Sequence, residues 1–158
     1  EATPAYPTSA DVFDFTMATV EIGDSAVSSF TSFSLDADLA LKTDRRFLKG
    51  AATKSIPKRS SVPTYTGTIE GEFADLTQYA AFTAGTIFKL ELIVSYPTAI
   101  AGTDYPKFHV TLPACKWTGS TPVASIDDMS TISLLFVALD NGTDPAMQIQ
   151  YMSTDTAF

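Results

Sequence analysis

"YTGTIEGEF" (residues 65–73) alternates without a break. Tyr65, Ile69 and Phe73 fall on one parity, with Thr66, Thr68, Glu70 and Glu72 on the other. Side chains of an extended chain point alternately to opposite faces, so this pattern predicts a strand with one face on a core and one in solvent. "FSLDADL" (33–39) does the same, setting Phe33, Leu35, Ala37 and Leu39 against Ser34, Asp36 and Asp38. Two such segments in sequence predict an antiparallel pair, and everything between them belongs to their connection.

That connection is unlike the rest of the chain. Over "LKTDRRFLKGAATKSIPKRS" (41–60) stand Lys42, Arg45, Arg46, Lys49, Lys54, Lys58 and Arg59. These are seven of the ten basic residues, against the single acid Asp44, a net of +6. The remaining chain holds three bases and seventeen acids, −14, and the whole sums to −8. A hairpin connection of this length is itself unusual, and such loops are commonly functional or disordered. With Gly50, Ala51, Ala52, Ser55 and Pro57 and few large apolar anchors, it is expected to be mobile until a neighbour engages Phe47 and Ile56.

Outward from this pair the alternation continues. "VFDFTMATVEIG" (12–23) shifts parity midway, the mark of a bulge or two short strands. "IFKLELIVSY" (87–96) turns Phe88, Leu90, Leu92, Val94 and Tyr96 inward, and "KFHVTLP" (107–113) and "CKWTG" (115–119) follow. "STISLLFVAL" (130–139) is apolar on both parities and so is expected to be covered on both sides. "DNG" (140–142) signals a turn before the closing "AMQIQYM" (146–152). One helix interrupts the set. "DLTQYAAFTAG" (75–85) has Asp75 as its N-terminal cap, Leu76, Tyr79 and Ala80 on a shared face, and Gly85 at its stop.

The prediction is a mainly β chain: an antiparallel β-sandwich or barrel of about seven strands with one flanking α-helix and a long hairpin loop. Residues 1–11, Pro- and Ser-rich, read as an arm or linker, and 12–158 as one domain carrying the loop 40–62. Forty-five per cent hydrophobic content excludes wholesale disorder. No apolar run approaches the ~18–20 residues of a membrane span, so no membrane insertion is expected. The sequence opens at Glu1 without a Met, which points to a processed product or to one part of a longer protein.

Catalytic chemistry is hard to find. The single His109 lies on the polar parity of its strand, and with no second His a transition-metal site is not expected. Cys115, the one cysteine, has no sequence-defined base and reads as a small buried residue. "DD" at 127–128 lacks the spacing of a calcium loop, and "NGT" (141–143) is explained by its turn. No phosphate loop or nucleophile elbow is present. No cofactor, metal or enzymatic activity is predicted.

The basic loop fits an interface arm best. Its charge opposes that of its own body and hence that of an identical neighbour, which favours head-to-tail assembly into rings or filaments. As a nucleic-acid patch it offers only Phe47 for stacking, on a molecule whose remaining charge repels a polyanion.

The order of these phrases resembles the tail tube proteins of long, non-contractile-tailed bacteriophages. The resemblance rests on "SFSLDADLALKTDRRFLKG", then "PTYTGTIEGEFADLTQYAAFTAGT", then "LPACKWTGSTPVASIDDMSTISLLFVALDNGTDPAMQIQY", and spans roughly 17–152. It implies a β-sandwich flanked by a helix, in six-fold or pseudo-six-fold rings whose inner strands join into a lumen barrel. Stacked rings would then form the virion's tail, a conduit for double-stranded DNA. By the same resemblance, tape measure and tail terminator proteins are partners, assembly takes place in the host cytoplasm, and residues 40–62 bridge successive rings. The bridging set is then Lys42, Arg45, Arg46, Phe47, Lys49, Lys54, Ile56, Lys58 and Arg59. A conduit should repel phosphate, because attractive contacts would hold the polyanion by counterion release. Asp36, Asp38, Glu70, Glu72 and Glu91 are therefore the expected lumen acids. Two other classes compete: a tube or terminator ring of a contractile injection or secretion system, and a receptor- or carbohydrate-binding β-sandwich presenting Trp117 or Tyr105.

Overall fold

The structure, a computed structural model, describes residues 13–47, 53–100, 102–123 and 129–153. The arm 1–11, Lys49 and the 127–128 acids lie outside the described residues. In chain order the elements are a 3-10 turn (Phe15–Met17), β1 (Ala18–Ile22), β2 (Ser25–Val27), β3 (Phe30–Asp38), β4 (Leu41–Lys42), β5 (Lys58–Arg59) and β6 (Thr64–Glu72). Then come α1 (Thr77–Ala84), β7 (Ile87–Ser95), β8 (Lys107–Val123), β9 (Thr131–Ala138) and β10 (Gln148–Met152). Every pairing is antiparallel.

Seven strands line up in the order β2-β1-β7-β8-β9-β6-β3, β10 pairs with β8, and β4 and β5 form a separate two-stranded ribbon. The two ends of this order are joined by residues 28 and 29 alone, so the edge strands lie at most about 11 Å apart along the chain. The sheet must roll until its ends nearly meet. No ladder joins β2 to β3 among the described residues, so the roll stays open along that seam. The expected sandwich or barrel is thus a single curled sheet with a cleft of ≈ 590 Å³ at the seam, lined by Val20, Val27, Phe30, Phe33 and Leu92 among others.

The roll encloses Ile69, Leu90, Leu112, Cys115, Trp117, Ile132, Leu134 and Phe136. The Trp117 ring packs on Phe88 (centroids 4.5 Å apart) and edge-on to Phe136 (6.3 Å). Burying side chains of this size stabilises the fold by about 1.5–3 kcal/mol each. Two glycines on the inward parity of β6 let neighbouring backbone come close. A Cβ on Gly67 would sit 2.5 Å from the Phe136 ring and inside the Ser34 carbonyl, and one on Gly71 would sit 2.9 Å from Phe30 Cα.

β9 and β10 pair successively with the same edge of β8, and 139–147 is an excursion between two collinear strands. Covering on both sides of β9, expected from its sequence, holds only in part, because Leu135 remains 45 % exposed on the outer face. The helix begins at Thr77, one residue later than a cap at Asp75 implies. Asp75 Oδ1 accepts the Thr77 amide at 2.8 Å, ahead of the helix, while Leu76 stands at the cap with no side-chain bond. The half-buried stripe is Gln78, Ala81, Phe82 and Gly85, while Leu76, Tyr79 and Ala80 are exposed. Phe82 and Ala81 pack against the core, and Gly85 closes the helix at φ +65.

Candidate functional site

The basic connection is a built hairpin arm along the part described. At its root, Asp38 Oδ1 accepts the Ala40 amide (2.8 Å) and the Ala40 carbonyl accepts the Ser60 amide (2.9 Å). Leu41 then pairs with Arg59 and Lys42 with Lys58. Further out, the Ser55 amide donates to the Arg45 carbonyl (2.8 Å) and Arg45 Nη1 to the Ile56 carbonyl (2.6 Å). The Arg45 guanidinium also lies 5.1 Å from the centre of the Phe47 ring. Asp44, the lone acid, meets Lys54 at 3.0 Å and Arg46 at 3.9 Å. The sequence predicted a chain mobile until bound, yet its two sides are already bridged. What it presents outward is apolar as well as basic: Phe47 is 54 % exposed and Ile56 83 %.

The second surface is the outer face of β3, β6 and β9. These strands contain no Lys, Arg or His. Asp36, Asp38, Glu70 and Glu72 are all exposed on it. Register sets Ser32 and Ser133 on either side of Glu70, and Ser34 and Leu135 on either side of Thr68. Ser32 Oγ donates to Glu70 Oε2 at 3.3 Å, and Ser34 Oγ to the Thr68 carbonyl at 3.3 Å. The face is a field of hydroxyls and carboxylates, with Leu135 as its exposed apolar side chain. The basic arm leaves one end of it, between β3 and β6.

Glu91 does not belong to this row. It lies on β7, three strands from β6, and is 7 % exposed. Its Oε2 pairs with Lys89 Nζ (2.8 Å) and its Oε1 with His109 Nε2 (3.0 Å) and Thr111 Oγ1 (3.3 Å). Lys89 pairs in turn with Asp24 in the β1–β2 turn. Polar parity placed Glu91 among the lumen acids, but Lys89 two residues away on its own strand and His109 and Thr111 across on β8 draw it under cover. Burial pushes its carboxyl up, and the bonds from Lys89 and His109 outweigh this and hold it below the ordinary value of 4.5. The Lys89 ammonium is held above its usual range by Asp24 first and Glu91 second.

This cluster is also the nearest thing to a catalytic constellation, and its geometry fails the chemistry. A relay needs the acid on one imidazole nitrogen and the nucleophile on the other. Glu91 and Thr111 both reach Nε2. Cys115 is fully buried and its thiol is pushed up to about 12 by desolvation. Trp117, 2 % exposed, is core rather than a sugar platform, while Tyr105 is 41 % exposed. No group of three or more metal-ligating side chains occurs among the described residues.

Residues 1–155 match the family model described as phage tail tube protein. The chain belongs to that family. Tail tube proteins are structural components of virion tails that assemble into stacked rings and tubes. No curated protein matches in sequence. In fold the chain is similar to the tube-terminating cap of the anti-feeding prophage (15 % identity, 96 % of each chain covered, TM-score 0.63). It is also similar to a subunit of the sheath–tube complex of an extracellular contractile injection system (12 %, 89 % of this chain and 93 % of that one, 0.63). A third likeness is to the SPP1 tail tube (9 %, 89 % and 80 %, 0.55). At these identities the likeness is one of fold.

Proposed function

We propose that this tail tube protein forms its conduit with the β3–β6–β9 face toward the lumen and uses the basic arm to bridge successive rings. The observation that carries this reading is the segregation of charge: a base-free face of exposed acids beside a pre-built arm that bears most of the chain's positive charge. Asp36, Asp38, Glu70 and Glu72 would keep passing phosphates from binding, since a lumen without cations offers no counterion release. Lys42, Arg45, Arg46, Lys54, Lys58 and Arg59, with Phe47 and Ile56, would meet the acidic body of the next ring; Lys49 completes the set by sequence. Tape measure and terminator proteins as partners, ejection of double-stranded DNA and assembly in the host cytoplasm follow from the family reading. Similarity to a contractile-system tube supports a second reading, in which the same tube carries a sheath on its outer wall.

Purified protein viewed by negative stain at low and high salt tests the arm. Screening shortens charge attraction to about 8 Å at physiological ionic strength and about 3 Å at 1 M. Wild-type protein should form tubes whose growth slows with salt. Reversing Arg45, Arg46, Lys58 and Arg59 to Glu should leave folded subunits that do not stack. Tubes of normal length from that variant would overturn the bridging role.

A further inference from the structure

The loop between the two collinear strands β9 and β10 carries chemistry outside the conduit face and the basic arm. We propose that Asn141–Gly142 is a latent site of spontaneous deamidation, held shut by the folded 140–144 turn. The reaction is intramolecular. The Gly142 backbone nitrogen attacks Asn141 Cγ, forming an N–Cγ bond and closing a five-membered succinimide. The Cγ–Nδ2 bond breaks, and the nitrogen leaves as ammonia with the proton that Gly142 gives up. Water then opens the ring to aspartate or isoaspartate. No oxidant or cofactor is needed. A following glycine makes attack easy, because no Cβ shields its nitrogen.

The turn withholds each participant. The nucleophile's N–H is donated to Asp140 Oδ1 at 2.7 Å. A carboxylate beside it opposes loss of that proton and pins the peptide plane that must rotate for attack. The electrophile is held at both ends: Asn141 Oδ1 accepts the Thr143 amide (2.9 Å) and the Asp144 amide (2.8 Å), and Nδ2 donates to Asp144 Oδ2 (3.2 Å). Swinging Cγ toward Gly142 N breaks all three bonds. Gly142 itself sits at φ +74, a backbone setting that glycine holds without strain. The residues are exposed, so water reaches the site as soon as the turn opens.

Conversion would be one-way in structural terms. The product at 141 is a carboxylate facing Asp140 and Asp144, with no donor left for Asp144. Isoaspartate also lengthens the backbone by one carbon, between two strands whose common register on β8 depends on the length of this excursion.

The test is a time course of isoaspartate and ammonia release at near-neutral pH and body temperature. It compares the folded chain, the urea-unfolded chain and a free peptide spanning 138–146. The unfolded chain and the peptide should convert at matching rates, and the folded chain at least about tenfold slower, since only the open fraction reacts. Asp144→Ala and Asp144→Asn should each speed the folded chain several-fold while leaving its melting temperature in place, and Asp140→Asn should do the same. A folded rate equal to that of the peptide would overturn the proposal. So would a faster one, because the two amides on Oδ1 would then be acting as an oxyanion site. Folded variants that convert no faster than wild type would overturn it as well.

Discussion

Glu91 and His109 meet at 3.0 Å on the outer side of the sheet, where β7 and β8 run side by side. The pair lies on the face that sequence parity marks as solvent-facing, yet the carboxylate is almost wholly covered. Lys89, His109 and Thr111 cover and satisfy it together. Glu21 stands opposite it on β1 and Gln150 opposite His109 on β10.

The depressed carboxyl of Glu91 predicts an acid-sensitive contribution to stability. A group whose folded pKa lies below its unfolded value stabilises the fold above the unfolded value. That contribution is lost as pH falls through the folded one. Glu91→Gln should therefore be less stable than wild type near neutrality, by roughly 1–3 kcal/mol as for other charge-assisted buried bonds. The difference should shrink as pH drops below the ordinary carboxyl value of 4.5. Urea midpoints of both proteins across that range check it, and a gap independent of pH contradicts it.

Gly67 predicts a steric requirement. Gly67→Ala places a methyl against the Ser34 carbonyl and the Phe136 ring, so either β3 or the core must shift. Overpacking of this kind costs about 1–3 kcal/mol or more. Gly119→Ala is the control: its new methyl would meet only Leu135, at 3.5 Å. The first should lower the urea midpoint clearly and the second little. Equal effects would mean that β3 does not press on β6 at Gly67.

The strands β3 and β6 were legible because one face of each is wet. Ile69 with Glu70, and Leu35 with Asp36, announce their faces by parity alone. Curling was not legible, because it depends on strand order, and order is set by pairings far apart in sequence such as Phe33 with Ile69 and Trp117 with Phe136. The helix face was misread because Leu76, Tyr79, Ala80, Ala81 and Phe82 put apolar groups on more than one side of a short helix, and which side meets the core, that of Ala81 and Phe82, is set by the sheet it packs on. Among the candidate acids, four keep the exposure their parity predicts. Glu91 departs because Lys89 of its own strand curls back on it and His109 and Thr111 of β8 lie alongside, and a parity pattern records neither. The arm's charge was plain, but its bracing by Asp44 and Arg45 was not.

Cys115 predicts chemical silence. Full burial, with the thiol pushed up to about 12 by desolvation, leaves almost no thiolate at neutral pH. A thiol reagent should react with the folded chain only at the rate of unfolding and promptly in urea. Fast labelling without denaturant would mean that the roll opens at its seam.

The exposed acids predict a separation of folding from passage. Replacing Asp36, Asp38, Glu70 and Glu72 by Lys alters exposed side chains alone, and among the described residues Asp38 accepts the Ala40 amide and Glu70 the Ser32 hydroxyl. The melting temperature should stay within a few degrees, since exposed substitutions cost about 0.5 kcal/mol or less each. Duplex DNA should bind tubes of the variant in a salt-dependent way and wild-type tubes not at all. Wild-type and variant tubes that exclude DNA equally would place these residues away from the lumen.

Arg45 predicts the sharpest contrast, because one side chain makes two kinds of contact. Its guanidinium donates across the arm to the Ile56 carbonyl and lies over Phe47. Both contacts are local to an exposed hairpin, so Arg45→Ala should leave the urea midpoint of the whole chain within about 0.5 kcal/mol of wild type. The arm is another matter. Without that donor, the part of the arm beyond its β4–β5 root loses a brace between its two sides, and the bonds that remain there include the Ser55 amide and the exposed Asp44–Lys54 pair, the latter worth about 0–1 kcal/mol. Hydrogen exchange at Ser55 should rise, and tube formation should slow because an arm that must be ordered on docking binds less tightly. Arg45→Lys separates charge from geometry: it keeps the cation but loses the planar fork that can donate to a carbonyl while stacking on a ring. If the arm works as a pre-shaped element, Arg45→Lys should assemble as slowly as Arg45→Ala, with the same rise in exchange at Ser55. If assembly with Lys matches wild type, the arm acts through its charge alone, and the bracing seen between Arg45, Phe47 and Ile56 does not govern stacking.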